Sequence, residues 1–199
     1  IKKVLKNIIY VLASGILFSF IYEITSFTPI KIFLIYSLLY IQFKSISEIV
    51  NCISSSFGQD YVVNFNNPFG AIHIRDFWSR WHVSLGDFAK THLNQPITLY
   101  LARKGLNADR AFLISVFLTF IFIGLWHNHS VGYLFFGIYF GAIVFIESKV
   151  SNRIDGYLKS GLFKKTLGIV YAQTMHLIGF SFVSDYVLRI LIYPELGSL

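Results

Sequence analysis

The sequence predicts an all-α, polytopic transmembrane protein, and three observations predict it. The 199 residues are 55% hydrophobic and 18% aromatic but only 14% charged, where a soluble domain carries about 25% charged residues. The apolar residues gather into runs of near-membrane length, and the mean hydropathy is +0.61. The net charge of +7 sits in short basic clusters between those runs. Bases interleaved with aromatics on one surface would point to nucleic acid; bases confined between apolar runs point to membrane topology. Composition therefore excludes disorder and an ordinary soluble enzyme. A single cysteine, Cys52, excludes an internal disulfide framework and a cysteine-based zinc site.

At about 20 residues per crossing the chain holds five or six membrane segments. It reads as one transmembrane domain over 1–199, with spans near 4–22, 30–43, 111–127, 131–147 and 166–183. The start at Ile1, without an initiator Met, reads as a chain incomplete at its N-terminus. Lys2, Lys3 and Lys6 precede the first run. Another apolar run follows it rather than a cleavage site and a polar domain, which argues against a signal peptide. Thr28-Pro29 punctuates, and Ile30 to Phe43 forms the second run, short enough to require tilt, snorkelling Lys31 and Lys44, or burial among other helices.

Lys44 to Gly70 is polar and reads as a loop or short interfacial helix. Residues 72–93 read as one amphipathic or re-entrant helix. Phe77, Trp78, Trp81, Leu85 and Phe88 share an arc of about 100°. Asp76 and Arg80 are placed i, i+4 in the favourable order. Such a helix lies in the interface or lines a polar cavity. Beyond the basic cluster Arg103, Lys104 and Arg110 come two strong runs, Ala111 to Trp126 and Val131 to Ile146, broken by 127–130. Lys149, Arg153, Lys159, Lys164 and Lys165 precede the last good span, and Asp185 to Leu199 is weakly apolar. The positive-inside rule places 2–6, 103–110 and 149–165 in the cytoplasm. His127 then stands about 24 Å up its helix, in the outer half of the bilayer.

Chemistry is sought among six histidines, because ionisable groups at membrane depth are costly and usually serve a pathway or reaction. His127 ends an apolar run with no acid nearby. Low polarity favours the uncharged imidazole, which can take a proton from a hydroxyl. The competing reading is a histidine capping a helix end at the headgroups. His82, at the edge of the aromatic arc, either enters a cavity or lies in the interface. His73, His92 and His176 read as structural, Glu147 as an interfacial residue near a span end, and Cys52 as an ordinary side chain. A metal site would need three or four ligands, and no such set is legible. Hydrolase elbows and glycine-rich phosphate loops are absent.

Two longer stretches resemble a known family. NFNNPFGAIHIRDFWSRWHVSLGDF, Asn64 to Phe88, and GLWHNHSVGYLFFGIYFG, Gly124 to Gly141, are similar to signatures of the bacterial membrane-bound O-acyltransferases, the branch of alginate O-acetylation and teichoic acid D-alanylation. Gln42 to Gly58 is a weaker match. The resemblance implies a many-helix membrane fold of which this chain is roughly the C-terminal half. It implies an O-acyltransferase of the bacterial plasma membrane that moves an acyl group from a thioester donor to a hydroxyl of an extracytoplasmic glycan or envelope polymer. His127 takes the place of the catalytic histidine and His82 that of a second histidine near the reaction chamber. Trp126, Asn128, Trp78, Trp81 and Arg80 fall at substrate-binding positions. Donor and acceptor are expected to meet in a tunnel from opposite faces. The donor is acetyl-CoA or an acyl carrier protein, used as substrate, with no resident cofactor and no metal. The implied partners are membrane lipid and a periplasmic or extracellular acyl-transfer protein, with no nucleic acid. The chain departs from the signatures at Gly86, at Lys90-Thr91-His92, at Asn128 and at Phe140, which stands where the family has a histidine. The rival readings are a non-enzymatic transporter and a degenerate, binding-only acyltransferase.

Overall fold

The computed structural model describes residues 2–24, 28–157 and 161–184. The weakly apolar stretch from Asp185 lies outside them. Among the described residues the fold is built of helices and carries no strand, only an isolated bridge between Phe65 and Trp81. Three helices are long and apolar enough to cross a membrane: Pro29–Ser56, Ala108–His127 and Val131–Val150. The expected spans 4–22 and 166–183 are represented by helices Lys2–Ile24 and Leu162–Ser181, which are not among those three. Contacts divide the single domain expected over 1–199 into two compact units. Residues up to Asn64 group with Val183 and Ser184, and Phe65–Phe182 form the other unit.

The first unit is the antiparallel pair α1 (Lys2–Ile24) and α2 (Thr28–Ser56). Phe18 of α1 and Ile35, Tyr36, Leu38 and Leu39 of α2 are buried there, at the i, i+3, i+4 spacing of one helix face. The loop expected from Lys44 is instead helix as far as Ser56. Its polar residues form a stripe that holds the extended segment 59–64. Asn51 reads the Val62 backbone as another strand would, donating to its carbonyl at 2.7 Å and accepting from its N–H at 3.3 Å. Tyr61 donates to Glu48 at 2.5 Å, Asn64 to Ser47 at 2.9 Å, and Lys3 pairs with Glu48. Gly58 closes α2 in the left-handed region, φ 79°, with Gln59 N donating to Ser54 O, the usual glycine stop.

The second unit contains α3 (Ile74–Arg80), α4 (Val83–Ala89), α5 (Gln95–Arg103), α6 (Ala108–His127), α7 (Val131–Tyr157) and α8 (Leu162–Ser181). The helix expected over 72–93 is broken. Trp81 is extended (φ −96°, ψ 123°) and His82 is left-handed (φ 48°, ψ 56°). The break is supported by the incoming chain: Phe65 bridges to Trp81, and Asn66 N donates to Arg80 O at 2.9 Å. Periodicity could not show this, because the partner residues Phe65 and Asn66 lie outside the helical window. From Val83 the chain is helical to Arg103, with one π-helical turn at Lys90–Asn94 joining α4 to α5.

A tight turn with Gly105 at φ 91° leads into α6, which Asn107 caps by accepting from Asp109 N at 2.9 Å. α5 and the turn before it are fastened to α6 at Ser115, where Asn94 donates at 2.8 Å and Thr98 shares a 2.6 Å bond. α6 and α7 form a close hairpin. Gly137 and Gly141, in G-x-x-x-G spacing, face Phe120 and Phe117 of α6, and Gly124 faces Tyr133 and Gly137. Removing side chains at such a seam lets helix backbones touch, which drives helix association in lipid.

Candidate active site between two tryptophan–histidine segments

α7 is the frame on which the site is assembled. α3 has its N-terminus at the far end of α7, where the Glu147 carboxylate accepts from Ile74 N at 2.7 Å and Arg75 N at 3.0 Å. The first N–H groups of any helix lack intrahelical partners, and here a side chain 73 positions away supplies them. Glu147 is 4% exposed. The interfacial placement expected for it is thus corrected: a carboxylate with two backbone donors can be buried where a free one cannot. The turn before α3 is held by α8, where Gln173 donates to the carbonyls of Pro68 (3.3 Å) and Phe69 (3.4 Å) and Gly168 leaves room for Ile72.

α3 then runs along α7 toward the α6–α7 turn. One helical turn beyond Glu147's partners, Trp78 wedges between α6 and α7, with its ring 5.6 Å from Phe120, 6.1 Å from Phe136 and 4.9 Å from Phe140. Phe77, fully buried, packs 4.0 Å from the His176 ring of α8. Trp81 stacks on Phe77 at 5.6 Å and meets Phe65 edge-on at 5.2 Å. At Trp81 and His82 the chain leaves α3 and turns into α4.

His82 and His127, 45 positions apart in sequence, come within range of each other's charge. His127 ends α6, with Trp126 at 5.1 Å and Tyr133 of α7 at 5.9 Å from its ring. His82 is half-buried, 5.9 Å from Phe65, with Ser84 Oγ 3.5 Å from its Nδ1. Burial holds the His82 imidazole below the usual histidine range, since desolvation disfavours its charged form.

The other sequence-derived site residues divide. Trp78 is packed in the helix seam rather than against a cavity. Trp126 is 61% exposed, and His127 is exposed beside it. Arg80 is engaged with Asp76, Nε to Oδ1 2.7 Å, beside a surface recess lined also by Gly70, Ile72, Gly161, Lys164 and Lys165. Asn128 ends α6 and commits its Oδ1 to Ser130 N at 2.8 Å. A second recess, in the first unit, is lined by Lys3, Cys52, Ser56 and Tyr61 among others. Neither recess is lined by His127 or His82, so the tunnel implied by the resemblance is not formed there. Among the described residues no group of three His, Cys, Asp or Glu side chains could hold a metal ion.

Sequence reasoning missed Glu147 and Tyr133. Glu147 had a signal: an acid inside an apolar run is expensive and therefore purposeful. Tyr133 had none, being one of 12 tyrosines. His176, read as structural, is 2% exposed at the centre of the aromatic cluster.

No family model matches the chain. A teichoic acid D-alanyltransferase of Bacillus subtilis is 30% identical over 125 residues, 60% of this chain. A probable alginate O-acetylase of Pseudomonas syringae is 33% identical over 119 residues, also 60%. A peptidoglycan O-acetyltransferase of Helicobacter pylori is 29% identical over 116 residues, 57%. The matched stretches cover only 31%, 22% and 21% of those proteins' own lengths.

Proposed function

We propose that this chain is part of a membrane-bound O-acyltransferase, as its similarity to the D-alanyltransferase and O-acetylase relatives supports, and that these residues carry the acyl-transfer site of a multi-pass membrane enzyme. The reaction moves an acetyl- or D-alanyl-type group from a thioester to a hydroxyl of an extracytoplasmic glycan or envelope polymer. The supporting observation is that His82, at the corner between α3 and α4, and His127, at the end of α6, lie within electrostatic range of each other, each directly after a tryptophan. In this reading His127 is the general base. Its unprotonated ring nitrogen takes the acceptor hydroxyl's proton as the oxygen attacks the thioester carbonyl. The tetrahedral intermediate collapses to the ester, and the departing thiolate recovers the proton from the imidazolium. No protein nucleophile is needed. His82, uncharged at neutral pH, orients the acceptor or the developing oxyanion by a hydrogen bond.

The donor is a thioester on a phosphopantetheine-type carrier, as acyl-CoA or acyl carrier protein, and no resident cofactor takes part. The membrane is the bacterial plasma membrane, and an extracytoplasmic acyl-transfer protein is the expected partner. Acyl transfer in membranes carrying equal amounts of wild type, His127→Ala and His82→Ala tests this. Losing a positioned general base costs about 10²–10⁴-fold, so His127→Ala should fall by that much, and His82→Ala by less. Undiminished turnover in His127→Ala would remove the base from the mechanism.

A further inference from the structure

We propose that Glu147 is a positioning residue for the histidine pair, acting through α3. This rests on the acyl-transfer reading of the site. α3 is a seven-residue helix, too short to be stable alone. Its N-cap residue, His73, offers no side-chain bond to the exposed N–H groups. Asp76 reaches back only to Ile72 N, at 3.4 Å. The buried Glu147 carboxylate therefore terminates the helix, with one oxygen on each of the first two amides. Tyr171 of α8 faces the same carboxylate, so three helices meet there.

From Ile74 to His82 the chain advances about 12 Å. At its other end His82 occupies a left-handed conformation, which a non-glycine residue holds only where its surroundings impose it. α3 is thus a short lever, pinned to α7 at its base and carrying an imidazole at its tip. α7 also carries α6, and so His127, along the glycine seam. Both imidazoles are consequently referenced to one helix. Glu147 fixes how far and at what rotation His82 is presented to His127, although it touches neither ring.

The test uses the full-length protein in membranes with Glu147→Gln and the apolar near-isostere Glu147→Met. Glutamine keeps one acceptor but turns an NH₂ against the other N–H. Methionine removes both acceptors. A displacement of order 1 Å costs up to about 10²-fold in rate. The expected result is kcat about tenfold lower in Glu147→Gln and lower again in Glu147→Met, with donor KM within about twofold. Hydrogen exchange at the Ile74 and Arg75 amides should accelerate while peptides from α6 and α8 exchange as in wild type. Wild-type kcat in Glu147→Met would overturn the proposal. So would exchange that accelerates uniformly across Phe65–Phe182, which would make Glu147 a general stabiliser. Should Glu147→Met fail to accumulate, Glu147→Gln carries the same two readouts. The amide exchange is read without turnover, so it tests the pin even if His127→Ala proves fully active.

Discussion

Replacing Gly137 by alanine should slow the proposed acyl transfer far more than it destabilises the fold. A Cβ built at Gly137 falls 2.6 Å from Phe120 O and 2.8 Å from Ile121 Cα, both backbone atoms that cannot rotate away, where ordinary contact begins at 3.4 Å. α6 must therefore retreat from α7 by about 0.8 Å to restore normal packing. Overpacking of this kind costs about 1–3 kcal/mol, offset by up to about 1 kcal/mol from replacing a helical glycine. The net loss is roughly 0–3 kcal/mol, or a fall of at most about 12 °C in unfolding temperature for a chain of this size. The same retreat moves His127 relative to His82, because His82 stays with α7 through α3. A shift near 1 Å is worth up to about 10²-fold in rate. Acyl-transfer kinetics and thermal unfolding in mild detergent measure the two effects on one sample. Gly15→Ala is the control, since nothing lies within 4 Å of its Cβ, and it should leave turnover unchanged. If Gly137→Ala is folded and turns over at the wild-type rate, the glycine seam does not position His127.

Other outcomes are expected from the same structure. Ser115→Ala should destabilise by about 1–3 kcal/mol in denaturation measurements, because it removes the acceptor of the buried Asn94 amide, while the Thr98 hydroxyl keeps its bond to the Asn94 carbonyl. Asp76→Ala should cost about 1 kcal/mol or less in the same measurement, its pair with Arg80 being partly exposed. For His82, burial lowers the folded value below the ordinary 6.5, so the folded protein binds fewer protons than the unfolded chain just below that pH. Stability is then full above about pH 6.5 and declines as pH falls toward the folded value. His82→Gln should flatten this decline in unfolding temperatures taken between pH 7.5 and 5, and an unchanged slope would show that another group titrates there.

The membrane runs around α6 and α7 were legible because twenty apolar residues between basic clusters have few other physical uses, and Asn107 and the 127–130 break mark the ends. The paired tryptophan–histidine segments were legible as words. Their proximity was not, because nothing local encodes the nearness of residues 82 and 127. The helix over 72–93 was misread for a related reason. Phe77, Trp78 and Trp81 keep helical spacing, but the Arg80 carbonyl accepts from Asn66 N and Trp81 bridges to Phe65, and only those distant partners support the break. α2 ran past its expected end because Ser47, Glu48 and Asn51, read as loop polarity, are one face of a helix with a peptide laid along it. Glu147 was visible as an anomaly, yet its partners are two backbone N–H groups, which no side-chain pattern announces.

The π-helical turn at Lys90–Asn94 sets the phase of everything after it. Upstream, the helix is clocked from the His82 corner; downstream, its Asn94–Thr98 edge must meet Ser115. Deleting one residue between these marks would swing the later half by about 100° and turn that edge away from Ser115. The segment from 83 to 103 therefore tolerates exchange of side chains far better than any change in its length.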